Sequence, residues 1–153
     1  MKIEITNLKP QIAVAMKETS LNMESVHEAI GEMAAKLMAY LAEQGKDMAG
    51  APYLAYFNAT EDFSTFDIEW GFPISEPVPN SGEIFMSQTC EGKAITAMHK
   101  GSYSGLGATY SAIMDYAKEN SLNCTGVVYD YYLNNPDETP ESELLTQVIF
   151  SIK

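Results

Sequence analysis

Arginine is absent from this chain. All nine cationic residues are lysines, set against 21 aspartates and glutamates, for a formal net charge of −12. That composition speaks against direct nucleic-acid binding. Phosphate neutralisation needs a basic surface, and guanine readout and bidentate phosphate clamping both favour the guanidinium group. An acidic surface attracts cations instead, organic ones included. Cysteine is scarce too. Cys90 and Cys124 could pair only once, and 153 residues can bury a core without a staple, so both are expected to be reduced. The two histidines, His27 and His99, lie far apart, and no CxxC or HxxxH spacing occurs, so no metal site is expected. No apolar run approaches the ~18 residues of a membrane span, and the opening MKIEITNLKP lacks the apolar core of a signal peptide. A cytoplasmic protein that does not engage membranes is expected.

What is present is a globular composition, 46% hydrophobic and too apolar for disorder. KIEITNL and IAVAM alternate as two short strands around a turn at Lys9–Pro10. In the stretch that follows, Val26, Ile30, Met33, Leu37 and Leu41 recur at helical spacing. Ser20 or Asn22 can cap that helix, Glu24 suits its first turn, and Gly45 follows its end. APYLAYFN and FDIEWGFPI read as strands joined by the polar turn ATEDFST. SEPVPNSGE, with two prolines and a glycine, reads as a linker. The pattern then restarts: EIFMSQTCEG and KAITAMHKG as strands, SGLGATYSAIMDYAKEN as a helix, and TGVVYDYYLNN and ELLTQVIFSIK as strands.

Each half therefore reads strand–strand–helix–strand–strand. The expected domain is a single α+β unit over 1–153, with one repeat at about 1–76, a linker at about 77–82 and a second repeat at about 83–153. QIAVAMKETS aligns without a gap on KAITAMHKGS, which matches Met16 with Met98. YLAYFN aligns on YDYYLN. Two such halves, related by a pseudo-two-fold axis with a helix on each outer face, would leave a central groove.

Strand parity assigns faces within that groove. In VVYDYYLN, Val127, Tyr129, Tyr131 and Leu133 share one face, and Val128, Asp130 and Tyr132 share the other. The first set is large and apolar enough to pack beneath a helix, which leaves Asp130 and Tyr132 for the open face. Aligning Asn58 with Asn134 puts Leu54 and Tyr56 on the corresponding face of the first half. Asp67 and Glu69 alternate with Ile68, Trp70, Phe72 and Ile74, and the repeat partner of Glu69 is Gln147. The groove is thus expected to hold aromatic walls (Tyr56, Tyr132, Trp70, Tyr103) and the carboxylates Asp130 and Glu69. Aromatic faces with a buried carboxylate suit a lipophilic cation. The plainer alternative is that tyrosines favour strands and the aspartate marks a solvent-facing side. Ser102 near His99 makes no triad. GSYSGLG is neither a GxGxxG nor a P-loop motif, and no cofactor is expected.

HKGSYSGLGATYSAIMDYAKEN followed by GVVYDYYLNNPDETPESELLTQVIFSI resembles the GyrI-like small-molecule-binding family, which includes effector-binding domains of AraC- and MerR-type regulators and stand-alone gyrase-inhibitory proteins. The matching pattern is His99, Gly101 and Tyr103, then Asp130, Tyr132, Leu133 and Pro136, then Thr146 and Gln147. The resemblance implies two βαββ units around a ligand groove. It places Asp130 where drug-sensing relatives carry a glutamate that meets cationic aromatic drugs, and Gln147 where an acidic residue is usual. With no residues to spare outside the two units, an effector module without a DNA-reading helix–turn–helix is expected. The leading expectation is a binder of small apolar, aromatic, cationic or neutral molecules, acting as a sensor or sequestering protein. Its expected ligand residues are Leu54, Tyr56, Glu69, Trp70, Tyr103, Asp130, Tyr132 and Gln147. Some relatives hydrolyse strained, cyclopropane-containing electrophiles, and for that alternative Glu69 and Asp130 are the catalytic candidates. A third reading is a gyrase-inhibitor-like protein-interaction module that meets a protein partner through exposed acidic residues such as Glu138, Glu141 and Glu143.

Overall fold

In the computed structural model, residues 2–22, 24–60, 64–135 and 138–153 are described. Part of the expected ATEDFST turn, and Pro136 of the family pattern, lie outside them. In chain order the elements are β1 (Ile3–Leu8), β2 (Ile12–Leu21), α1 (Val26–Glu43), β3 (Tyr53–Phe57), β4 (Phe66–Pro73), β5 (Phe85–Gln88), β6 (Gly92–Lys100), α2 (Leu106–Glu119), β7 (Cys124–Tyr132) and β8 (Leu145–Ile152).

These elements form two compact units. The first is Pro10–Thr89. The second joins Met1–Lys9 to Cys90–Lys153. In the first, antiparallel strands run in the order β3–β4–β2–β5. In the second they run β7–β8–β6–β1, also antiparallel. Internally the two are alike. A long strand leads through a helix to two further strands, and a fourth strand pairs with the outer edge of the long one. The fourth strand is exchanged along the chain: β1 leads into β2 but pairs with β6, whereas β5 leads into β6 but pairs with β2. The compact units are therefore cut one strand later than the sequence repeats.

Each helix presents one apolar stripe. α1 buries Val26, Ala29, Met33, Leu37, Tyr40 and Leu41, and α2 buries Leu106, Thr109, Ile113 and Ala117, the 3.6-residue period of an amphipathic helix. α1 begins later than the capping residues implied. Ser25 is its N-cap, Glu28 is the acidic residue of its first turn, and Asn22 Oδ1 instead closes the preceding turn by accepting from the N–H groups of Glu24 and Ser25, each at 2.9 Å. Gly45 ends the helix in the left-handed region, φ 65°, as its position predicts. The linker is pinned: the Tyr40 hydroxyl donates to Pro79 O, and Asn80 Oδ1 accepts from Met86 N at 3.0 Å.

In the second unit α2 packs on Ile95, Ala97, Val148, Phe150 and Ile152, with Val128 at the margin. In the first unit Met16 lies in a shallow depression with Lys36, Ala39 and Tyr40 of α1. Met16 is paired with Trp70, and Trp70 with Leu54, so these three share the α1 face. The gapless match of Met16 to Met98 is one residue out of step. Met16 is 3% exposed against α1, whereas Met98, at 44%, lies on the face of β6 away from α2. A one-residue slip in a strand exchanges its faces.

On the other face of the first sheet the backbones approach closely at Gly71. A Cβ there would lie 2.4 Å from Val14 O and 2.8 Å from Ala15 Cβ. Gly71→Ala is expected to lower stability by about 1–3 kcal/mol through overpacking. Gly31→Ala, in open space on α1, should raise it by roughly 0.5–1 kcal/mol. Denaturant midpoints of the two variants check both signs.

Candidate functional site

The polar residues of the second unit gather where β6 gives way to α2. Gly101 leaves the strand with φ 119°, a conformation that L side chains rarely adopt, and its N–H bonds Leu144 O at 2.8 Å. Ser102 caps the 3-10 turn Tyr103–Gly105, its Oγ accepting from Ser104 N at 3.2 Å. His99 ties strand, turn and helix together. Its Nε2 lies 2.8 Å from Ser102 O and its Nδ1 2.9 Å from Thr109 Oγ1. A carbonyl can only accept, so Nε2 carries a proton, and in the neutral ring Nδ1 accepts from the Thr109 hydroxyl. Gly105 gives the ring room, since a Cβ there would sit 3.0 Å from His99 Cε1. The turn delivers Tyr103 edge-on to Tyr132, with ring centroids 5.5 Å apart. The His-x-Gly-x-Tyr pattern thus builds a joint. It forms no catalytic pair, because His99 Nε2 is held by a carbonyl and Ser102 Oγ bonds Ser104 Oγ at 2.9 Å.

Asp130 lies beneath the same helix. Two cross-strand rows face α2: Ala97–Val148–Asp130 and His99–Thr146–Tyr132. Asp130 is wholly buried, 0% exposed. The Tyr110 hydroxyl of α2 donates to its Oδ2 at 2.5 Å. Its Oδ1 and the Thr146 hydroxyl have no hydrogen-bond partner among the described residues. Burial pushes the Asp130 carboxyl up to about 7, outweighing the lowering effect of the Tyr110 bond, because dehydration disfavours the charged form.

Strand alternation is as expected, but the face is reversed. Asp130 and Tyr132 point toward the helix. Tyr129 and Tyr131 point away from it, packed with Cys90, Ala94, Ile149 and Leu8, and the Tyr131 hydroxyl accepts from Cys90 N at 3.0 Å. The reason lies in the neighbouring strands. β6 and β8 supply the large apolar residues that α2 covers, and the pairing of Asp130 with Val148 carries Asp130 to that side.

The eight expected ligand residues therefore fall into three groups. Tyr103, Asp130 and Tyr132 come together beneath α2. Leu54, Tyr56 and Trp70 lie on the α1 face of the first unit, where the Tyr56 ring meets Phe66 and the Trp70 ring meets Phe72. Glu69 and Gln147 occupy the helix-free faces of their own sheets. Glu69 Oε2 accepts from Tyr53 OH at 2.6 Å and from Ser87 Oγ at 2.7 Å. Gln147 is paired with Met98 on one side and Tyr131 on the other. Tyr110, His99, Thr109 and Thr146 join the Asp130 cluster without having been expected there. Tyr110 had a signal, since it falls in the apolar stripe of α2 one position after Thr109 and three before Ile113.

A family model described as GyrI-like small molecule binding domain matches residues 1–153. The chain belongs to the GyrI-like family. No curated protein matches it. Among solved structures, the C-terminal domain of EcmrR superposes with a TM-score of 0.86 at 17% identity, over 99% of this chain and 97% of that one. The EcmrR chain in its DNA complex is longer, and this domain covers 57% of it. A hydrolase of Listeria innocua encoded by lin2189 gives a TM-score of 0.67 at 12% identity, over 99% of this chain and 92% of that one. SAV2435 bound to tetraphenylphosphonium gives 0.66 at 12% identity, over 100% and 94%. At these identities the likeness carries the fold. As a GyrI-like domain, the chain is a small-molecule-binding module. Among the described residues no helix is long and apolar enough to cross a membrane.

The raised Asp130 pKa has a thermodynamic consequence. Between an unfolded value near 3.8 and a folded value of about 7, the native state holds a proton that the unfolded state has released. This group's contribution to stability is therefore complete below pH 4 and is lost as pH rises toward 7. At about 1.4 kcal/mol per pH unit, the loss is on the order of 4 kcal/mol. Asp130→Asn should match wild type near pH 4 and exceed it in melting temperature at pH 7.5. Parallel melts across that range test the sign.

Proposed function

We propose that this GyrI-like domain binds small aromatic, apolar molecules, lipophilic cations among them, at the Asp130 cluster beneath α2. The observation that carries the reading is Asp130 itself. A fully buried carboxyl with one oxygen unpartnered, bonded by Tyr110 and set in the same face as Tyr132, whose ring meets Tyr103, is costly to stability and short of a counter-charge. A bound cation supplies that charge, and ring faces supply dispersion and quadrupole attraction. The cluster is closed in the free protein, so entry requires the start of α2 and the Tyr103 turn to move aside. The bonds that such a movement must break include Thr109 to His99, His99 to Ser102 O and Tyr110 to Asp130. The domain would then act as a ligand sensor or a sequestering protein. The structure of SAV2435 with tetraphenylphosphonium supports the choice of probe.

A cation would draw the proton off Asp130, so binding and ionisation are linked. Tetraphenylphosphonium is expected to raise the melting temperature of wild type, and its affinity should increase from pH 6 to pH 8 as the carboxyl ionises. Asp130→Asn should lose most of that affinity and all of its pH dependence. Equal, pH-independent binding by both proteins would refute the assignment.

A further inference from the structure

On the helix-free face of the first unit, a cation already sits on aromatic rings. Lys17 Nζ lies 5.2 Å from the centroid of Phe85 and 5.8 Å from that of Phe57. Phe57 stands on β3 and Phe85 on β5, so the ammonium reaches rings on the first and last of the unit's four strands. Directly across from Lys17 in the ladder is Glu69. The obvious pairing is not made. Among the described residues no ion pair joins Lys17 to Glu69, and the Glu69 carboxylate is bonded through one oxygen to the Tyr53 and Ser87 hydroxyls.

The Lys17 ammonium rests on the rings and makes no ion pair with Glu69. A larger organic cation, its charge spread over several ångströms and weakly hydrated, can reach the rings and Glu69 together. We propose that Phe57, Phe85 and Glu69 form a seat for a quaternary ammonium or similar organic cation, and that Lys17 is an internal occupant which such a ligand must displace. The seat shares no residue with the Asp130 cluster and does not rest on that reading. Glu69 supplies the counter-charge, held in place by two hydroxyls, and the phenyl faces supply cation–π attraction. Lys17 lowers affinity in two ways, by filling the rings and by repelling a second cation.

The test is calorimetric titration of the whole protein with benzyltrimethylammonium, on an Asp130→Asn background so that the other cluster does not contribute. Lys17→Met, which keeps the apolar stem, is expected to tighten binding by about fivefold or more, the scale of a cation–π contact released. Phe85→Leu and Glu69→Gln in the Lys17→Met protein should each reverse that gain. Lys36→Met removes an exposed lysine from α1 of the same unit, and it should leave affinity within about twofold, as a distant screened charge does. If Lys17→Met weakens binding or leaves it unchanged, or if Lys36→Met tightens it equally, the proposal fails. The first outcome makes Lys17 a plain surface side chain, and the second makes the gain one of net charge. Failure here with intact pH-linked binding at Asp130 would leave the proposed function standing.

Discussion

Each helix can cover only one face of the four strands in its unit, and the face it covers decides what polar strand residues such as Asp130 and Glu69 can do. α2 lies on the side where β6 and β8 carry Ile95, Ala97, Val148 and Phe150. Once it is there, alternation along β7 is no longer free. Val128 joins the core, Asp130 is sealed from water, and the stacked pair Tyr129 and Tyr131 turns to the opposite side. The buried carboxyl then needs a donor, which Tyr110 provides from the covering helix itself. The helix is thus both the lid over Asp130 and a partner to it.

The same packing rule gives the two units different chemistry on equivalent positions. Asp130 pairs with Val148 in the second unit much as Leu54 pairs with Trp70 in the first. One position is a dehydrated acid and the other a fully buried leucine. On the helix-free faces the contrast runs the other way, with Glu69 in the first unit and Gln147 in the second. At these matched positions the acidic residue therefore sits on one face in one unit and on the other face in its counterpart, although strands and helix follow the same order in both. The exchanged fourth strands contribute to this: β5 brings Phe85 and Ser87 beside β2, and β1 brings Ile3 and Leu8 to the second unit.

Much of the fold was legible. The stripes of α1 and α2 stood out because a helix buried on one side repeats its apolar residues every 3.6 positions. The strands showed their two-residue alternation, and the recurrence of strand–strand–helix–strand–strand was plain in the order of elements. Less was legible in the site. Asp130, Tyr132 and Tyr103 lie in one unit, yet Leu54, Tyr56 and Trp70, expected beside them, belong to the core beneath α1. Lys17, Phe57 and Phe85 carried no local signal, because they come from strands far apart in sequence and meet only across the sheet.

Taken alone, the sequence determined which residues alternate together and approximately where the helices run. It left open which side of each strand faces a helix, because a strand of tyrosines around one aspartate has two amphipathic faces of nearly equal apolar character. Tertiary structure made that decision through strands paired from distant parts of the chain. Only the summed apolar area of three or four neighbours, and not that of one strand, is large enough to fix where a helix docks.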